Sequence, residues 1–318
     1  MRTWVLAICT AATSFGIAAA FGQTPGNNPI PEKYVPCTGD FEGNYSFSER
    51  QGICDAAIES NTFQGMDLAQ FYLHRWAIRN AKKEKAQSDL DKALAIRPDI
   101  ADDVIRFAQS YIDDKEFDLA KAALDAAAKA QPRNWSVHYH AAELALRQGA
   151  FDLAVQENAK ALDSQPDGED ARHQQATVLA AKGDVDGAIA VIDKLIVSFP
   201  DSDVYYNLRC YFRAVANRDL DKALADCNTA LKIKPNNQYD LDSRGLVYLR
   251  MGRYAEAIAD YTAGIRVADR PSPNSLYGRA LAERQSGDSM GAAADLQAAE
   301  VLSPGIDKKF NTLAILVE

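Results

Sequence analysis

The sequence has few of the residues that most catalytic and metal sites need. Its 318 residues include only four histidines, and the closest two, His138 and His140, are two positions apart. On a helix, residues two apart point in different directions, so this pair cannot chelate one metal ion. The chain has no His-Glu-x-x-His motif, no Gly-x-Ser-x-Gly motif and no phosphate-binding loop ending in Gly-Lys-Ser/Thr. We expect no catalytic site, no cofactor and no metal site.

Positive charge and long apolar runs are also scarce. The chain has 35 Lys and Arg residues against 44 Asp and Glu residues, for a net charge of -9. A nucleic-acid backbone requires clustered Lys and Arg, so the composition argues against a nucleic-acid partner. No apolar run after the first 22 residues is long enough to cross a bilayer, so we expect no membrane span in the mature chain.

Residues 1–22 have the layout of a secretory signal peptide. Arg2 is followed by an apolar run and then by the small residues Ala18 to Ala20. Cleavage after Ala20 or after Gly22 would fit, and an uncleaved membrane anchor is the alternative. We expect export, to the periplasm of a cell with two membranes or to the medium of a cell with one.

The cysteine count is consistent with export. Removal of the leader takes away Cys9 and leaves four cysteines. An even number in an oxidising compartment indicates two disulfides, for which three pairings are possible.

Most of the chain repeats one short unit. Alanines recur every 34 or 35 residues, and prolines recur at the same interval from Pro98 to Pro235. The alanines are Ala86, Ala120, Ala154, Ala188, Ala223, Ala257 and Ala292. This period is typical of a two-helix repeat, which buries its apolar face only by stacking on its neighbours. Glycines at one phase, from Gly149 to Gly287, fit the turn between the two helices.

The run Asp242 to Tyr248, continued by Gly252 and by Ala257 to Tyr261, resembles the tetratricopeptide repeat family. The resemblance implies an all-α, right-handed α-solenoid of about seven helix-turn-helix repeats. We place the solenoid at 46–306 and its repeats near 65–100, 101–134, 135–168, 169–202, 203–237, 238–272 and 273–306. An irregular segment at 23–45 would precede the solenoid, and a capping helix at 307–318 would follow it.

Two cysteines are exceptions to the repeat pattern. Cys210 and Cys227 both fall in the fifth repeat, at positions expected to face each other across its helices. A disulfide is the natural reading, and buried free thiols are the alternative. Cys37 and Cys54 would then form the second disulfide and tie the N-terminal segment to the first helix. Exported proteins of this kind often have such a cysteine pair before the first repeat.

Comparison of the repeats also predicts structural ion pairs. An arginine on the first helix is accompanied by an aspartate on the second helix in the last three repeats, and the three middle repeats lack both partners. The predicted pairs are Arg209–Asp226, Arg244–Asp260 and Arg279–Asp295, with Arg75 and Asp89 as a possible fourth copy. A catalytic charge cluster is the rival interpretation, but three consecutive copies fit a structural role better.

The resemblance implies a partner-binding groove along the first helices. Its expected residues are Tyr139, Glu143, His173, Asn207, Tyr211, Tyr239, Asp242, Leu246, Arg250, Tyr277 and Leu281. The C-terminal part of this set is rich in tyrosine and leucine, which suits an anchor for a peptide. Packing of these tyrosines against neighbouring helices is the alternative.

These observations favour an exported, non-catalytic scaffold that binds a protein or peptide partner. A protein that binds cell-envelope polysaccharide through the same aromatic residues is one alternative. An enzyme with a site in residues 23–64 is another.

Overall fold

The computed structural model describes residues 30–38, 45–82, 84 and 86–312. These residues form α-helices and two short 3-10 helices, with no β-strand among them. The predicted leader, residues 23–29 and 39–44 of the following segment, and residues 313–318 of the predicted capping helix lie outside the described residues. The chain divides into an N-terminal unit that ends at Asp167 and a C-terminal unit that begins at Gly168.

The described part of the N-terminal unit contains eight α-helices. They are α1 (Val35–Thr38), α2 (Phe47–Glu59), α3 (Gly65–Ala81), α4 (Gln87–Ile96), α5 (Ala101–Asp113), α6 (Phe117–Ala130), α7 (Trp135–Arg147) and α8 (Phe151–Ser164). The 3-10 helices cover Glu32–Tyr34 and Pro98–Ile100. A core cluster of this unit includes Leu73, Trp76 and Leu90.

The C-terminal unit contains nine described α-helices. They are α9 (Glu169–Lys182), α10 (Val185–Ser198), α11 (Asp203–Val215), α12 (Leu220–Ile233), α13 (Gln238–Arg250), α14 (Tyr254–Val267), α15 (Pro273–Gln285), α16 (Ser289–Leu302) and α17 (Ile306–Thr312). From α3 to α16 the helices form seven consecutive helix-turn-helix pairs, and the two helices of each pair pack against each other. The predicted all-α fold class is confirmed.

Proline and positive backbone φ angles explain where the helices end. The second helices α4, α6, α8, α10 and α12 each end two residues before a proline, which cannot continue the helical hydrogen bonds. Between the two helices of a pair, Gly149, Gly183, Gly252 and Gly287 have φ between 72° and 99°. Lys115 and Asn217 adopt the same left-handed conformation at the turns that lack glycine.

Small residues let the helices of the C-terminal unit approach closely around Tyr261. A Cβ atom at Gly278 would lie 2.5 Å from Tyr261 Cζ, and one at Gly245 would lie 3.1 Å from the same ring. The tyrosine ring on α14 therefore fills the space between α13 and α15. This is the arrangement that alternating small and large residues at the repeat positions predict.

The segment expected to be irregular is partly helical. Pro36 lies in the first turn of α1, where a missing N–H costs nothing, so the proline does not prevent a helix. Tyr34 contacts Phe63 and Phe71 edge-on, at centroid distances of 5.3 and 6.3 Å. This aromatic cluster packs beside the buried Cys37 and attaches α1 to α3.

Candidate functional site

The C-terminal half of the predicted groove is more buried than expected. The side chains of Tyr211, Leu246, Tyr277 and Leu281 are only 2–7% exposed, and Asn207 is 3% exposed. They therefore cannot provide a large contact area to a partner in this conformation. These side chains pack against neighbouring helices, which is the alternative that the sequence left open.

The last helix explains the burial of one of these tyrosines. Phe310 on α17 is 2% exposed, and its ring lies 4.2 Å from the Tyr277 ring, centroid to centroid. Ile306, one turn earlier, is also buried. The capping helix thus covers apolar positions of α15 that the family pattern assigns to the groove.

A small pocket remains open on the first-helix side of the C-terminal unit. Tyr239 and Asp242 on α13 line it and are half-buried, so they are the predicted groove residues that remain accessible there. The other lining residues are Tyr211, Gln238, Ser243, Leu246, Tyr261, Gly264, Ala268, Ser272, Asn274, Ser275 and Phe310. The pocket therefore combines apolar walls, three phenol rings and one carboxylate. We call it the Asp242 pocket.

Asp242 is held by a single hydroxyl. Ser275 Oγ at the start of α15 donates a hydrogen bond to Asp242 Oδ1, at 2.5 Å. Gly264 on α14 lies beside the carboxylate, and a Cβ atom there would make an ordinary van der Waals contact with Asp242 Oδ1, at 3.5 Å. Burial raises the pKa of Asp242 to about 7, and the hydrogen bond from Ser275 opposes this rise only in part.

The predicted groove residues of the N-terminal unit form a more polar surface. Tyr139 is half-buried, with its ring 5.9 Å from Trp135 and 5.1 Å from His140, centroid to centroid. Glu143 accepts a hydrogen bond from Arg147 Nη2 at 3.0 Å. Burial opposes ionisation of Glu143, but hydrogen bonds and charges from His140 and Arg147 outweigh it and lower the Glu143 pKa.

The two remaining groove predictions, His173 and Arg250, are both half-buried. The His173 ring lies 6.1 Å from that of Tyr205, and burial lowers the His173 pKa against the opposing effect of Asp170. Arg250 Nη2 donates to the carbonyl of Val215 at 3.4 Å. Neither residue lines the Asp242 pocket.

The four cysteines among the described residues lie in two pairs at disulfide-bonding distance. Cys37 pairs with Cys54, and Cys210 pairs with Cys227. All four side chains are fully buried. Each bond closes a loop of the same sequence separation, 17 residues, between two neighbouring helices.

The three predicted ion pairs have nearly identical geometry. In each, the arginine donates to both carboxylate oxygens through Nε and Nη2, at distances from 2.6 to 2.9 Å. Arg75 and Asp89 form a fourth pair of the same kind. The hydrogen bonds that the arginines donate to the aspartates raise the arginine pKa values, because they favour the charged form.

Each of these arginines also contacts the preceding second helix, which sequence comparison did not reveal. The third donor, Nη1, reaches Asp193 from Arg209, Asn228 from Arg244, and Thr262 from Arg279, at 2.6 to 3.1 Å. Arg75 similarly reaches Asp55 on α2 at 2.7 Å. We call this three-way contact an arginine bridge. Its signal in the sequence is weak, because the acceptor changes from carboxylate to amide to hydroxyl.

Within the described ranges, no group of three or more His, Cys, Asp or Glu side chains is placed to hold a metal ion. In that same part of the chain, none of the helices combines the length and the apolar character that a membrane span needs.

Comparison with known families and structures agrees with the repeat reading. A family model described as tetratricopeptide repeat matches residues 105–169 and 243–305, and another with the same description matches residues 211–273. No curated protein sequence matches the chain.

Solved structures that are similar to the chain share its fold at low sequence identity. A tetratricopeptide repeat protein from Parabacteroides merdae has a TM-score of 0.62 at 16% identity, over 78% of this chain and 98% of that one. PilW, a type IV pilus biogenesis factor, gives 0.56 at 15% identity, over 68% and 99%. Yeast Tom70 gives 0.53 at 18% identity, over 84% and 57%.

Proposed function

Because the chain belongs to the tetratricopeptide repeat family, whose members act in general as protein–protein interaction scaffolds, we propose that it is an exported, non-catalytic scaffold for a peptide or protein partner. The partner segment would lie on the first-helix face of the C-terminal unit and insert one side chain into the Asp242 pocket.

The observation that carries this proposal is the combination of apolar walls and a small set of polar groups in the Asp242 pocket. Such pockets provide affinity through buried apolar area and specificity through the polar groups. Tyr239 at the rim is half-buried and offers a large contact area at low entropic cost. Most residues that line the pocket lie on α-helices. A site built on helices keeps its geometry better than one built on loops.

Two features support export. Residues 1–22 have the charge, apolar run and small residues of a leader. The two cysteine pairs at bonding distance suit an oxidising compartment. N-terminal sequencing of the chain expressed in a bacterium with two membranes tests this directly. We expect a periplasmic protein that begins after Ala20 or Gly22, and a cytoplasmic protein that retains the leader would contradict export.

Selection from a displayed library of random linear peptides tests the binding function. Peptides enriched on the parent chain should lose at least tenfold in affinity when Tyr239→Ala and Asn274→Ala are combined, because both side chains line the open pocket. Met290→Ala on α16 is the matched control, since this side chain is 84% exposed and lies outside the pocket.

Failure to enrich any peptide would contradict the proposal. So would enriched peptides that bind the parent chain and the double variant equally well. Binding of envelope glycans, in an array where no peptide binds, would replace a peptide partner with a polysaccharide.

A further inference from the structure

We propose that the Asp242 pocket is a lysine site, which receives the protonated side-chain amine of a lysine carried by the peptide partner. This inference rests on the proposed function, because it names the chemistry that the pocket recognises in the bound peptide.

Asp242 is half-buried in the pocket and has no cation beside it among the described residues. Asp242 accepts a hydrogen bond from the Ser275 hydroxyl and forms no ion pair with any described lysine or arginine. The aspartates of the arginine bridges, by contrast, each receive two hydrogen bonds from a guanidinium group. A buried carboxylate is costly unless a cation or several donors accompany it. The free side of Asp242 is therefore complementary to a cation from outside the chain.

No described lysine or arginine side chain lines the pocket, and the charge of Arg250 on α13 acts on Tyr261 rather than on Asp242. The side chains that face the pocket from α11, α14, α15 and α17 are phenols, hydroxyls, amides and a phenyl ring. They are Tyr211, Tyr261, Ser272, Asn274, Ser275 and Phe310. The first amides of α15 do not compensate the charge either, because Asn274 N–H and Ser275 N–H both donate to Ser272 Oγ. On α13 itself, the pocket side carries Gln238, Tyr239 and Leu246.

The shape and lining of the pocket suit a lysine side chain. Lysine has a compact ammonium group on a flexible apolar stem, whereas arginine ends in a broad planar guanidinium group. Leu246, Ala268 and Phe310 can pack against the stem. The rings of Tyr239 and Tyr261 can lie near the ammonium group, which aromatic faces attract. The narrow pocket favours lysine over arginine.

The titration of Asp242 couples binding to pH. In the free protein its pKa of about 7 means that the carboxyl is largely neutral at pH 6 and largely ionised at pH 8. A bound ammonium group favours the ionised form, so binding releases a proton below pH 7. Lysine peptides should accordingly bind more tightly at pH 8 than at pH 6.

The chain offers a matched control two residues away. Asp240 lies on the same helix, is 1% exposed, and also has a pKa raised by burial to about 7. Its charge neighbours are Asp203 and Lys234, and it does not line the pocket. Asp240→Asn thus removes a buried carboxylate of similar pKa without touching the proposed site.

The experiment uses the full mature chain and a degenerate library of peptides that are acetylated at the N-terminus and amidated at the C-terminus. One central position is fixed as lysine, arginine or norleucine, and a fourth set carries norleucine with a free N-terminal amine. Affinities are measured by fluorescence anisotropy at pH 6 and pH 8 for the parent chain, Asp242→Asn and Asp240→Asn.

We expect the lysine set to bind the parent chain at pH 8 about tenfold more tightly than the norleucine set, and about tenfold more tightly than the same lysine set at pH 6. Asp242→Asn should abolish both differences. Asp240→Asn should preserve both.

Peptide binding without a lysine preference, or a preference that survives Asp242→Asn, would overturn the lysine site and leave the scaffold function intact. A preference for arginine, or equal binding of the set with a free N-terminal amine, would also overturn it. If no set binds at either pH, the proposed scaffold function fails together with this inference.

Discussion

The C-terminal unit holds its aspartates in two contrasting ways. In the arginine bridges, an arginine of the same helical pair donates hydrogen bonds to each aspartate. The same arginine also donates to the second helix of the preceding pair. The aspartates are Asp226, Asp260 and Asp295. In the pocket, Asp242 has one serine hydroxyl and no cation. A charge that is compensated within the chain serves the fold. The Asp242 carboxylate has no such partner and lines a pocket that is open to a ligand.

The middle repeats show that the bridge is one solution among several. In the second pair of helices, α5 and α6, Phe107 occupies the position of the bridge arginine. Its ring lies edge-on to Trp76, at a centroid distance of 5.8 Å. In the third pair, His138 Nδ1 lies 2.8 Å from Glu157 Oε2. Apolar packing or a different polar pair can therefore hold two helices together at this point of the repeat.

Loss of a bridge arginine should have the largest effect. Arg244→Ala leaves the Asp260 carboxylate, which is 7% exposed, without its partner. We expect the free energy of unfolding to fall by about 3 kcal/mol, measured by urea denaturation. The matched control is Gln175→Ala at the equivalent place of an unbridged repeat, which should change stability by less than about 1 kcal/mol. Equal effects of the two substitutions would show that the bridge has no special role.

The disulfide beside the first of these bridges should matter almost as much. Cys210 and Cys227 directly follow Arg209 and Asp226 in the sequence and close a loop with a sequence separation of 17. Replacement of both cysteines by alanine should lower stability by about 3 kcal/mol in the chain-entropy model, measured under non-reducing conditions. It should leave lysine-peptide binding unchanged. A variant as stable as the parent chain would contradict the structural role of this disulfide.

Substitution of the uncompensated aspartate should act in the opposite direction. The folded pKa of Asp242, about 7, lies above its ordinary value of 3.8, so the folded protein binds more protons than the unfolded chain between these pH values. Its contribution to stability therefore declines as pH rises from about 4 to about 7 and is level above that.

Asp242→Asn removes this decline. We expect a gain of about 1–3 kcal/mol at pH 8 and almost none at pH 4, measured by denaturation across that pH range. Asp260→Asn is the contrasting variant, because it breaks a bridge and should destabilise the protein at pH 8. A loss of stability for Asp242→Asn at pH 8 would mean that the folded protein compensates this charge.

The smallest effect is expected at the third contact of a bridge. Asn228 is exposed and accepts one hydrogen bond from Arg244 Nη1, at 2.9 Å. Asn228→Ala should lower stability by about 0.5 kcal/mol, because an exposed acceptor is replaced by water at little cost. A loss as large as that of Arg244→Ala would show that the contact between neighbouring pairs, rather than the Asp260 pair, dominates the bridge.

Much of the fold and its bridges could be predicted from the sequence because the repeats provide internal comparisons. Arginine and aspartate occur together in some repeats and are absent together from others, which indicates contact without any coordinates. The positions of Pro98 and Gly252 likewise mark helix ends through their backbone requirements alone.

The candidate site was harder to predict because it depends on unique packing. The family pattern assigns Tyr277 to the groove, but Phe310 of the last helix covers it. The state of Asp242 depends on the start of α15, where Ser275 provides its hydrogen bond. These contacts occur once in the chain, so no comparison between repeats could reveal them.

The pKa of Asp242 tests the central contrast most directly. Carbon-detected NMR titration of the mature chain labelled at the aspartate carboxyl carbons, with Asp242→Asn to assign the signal, would measure it in the free protein. The account predicts a value of about 7, far above the ordinary aspartate value of 3.8. A value at or below 3.8 would show that the carboxylate is already compensated and that the pocket has no unsatisfied charge for a ligand.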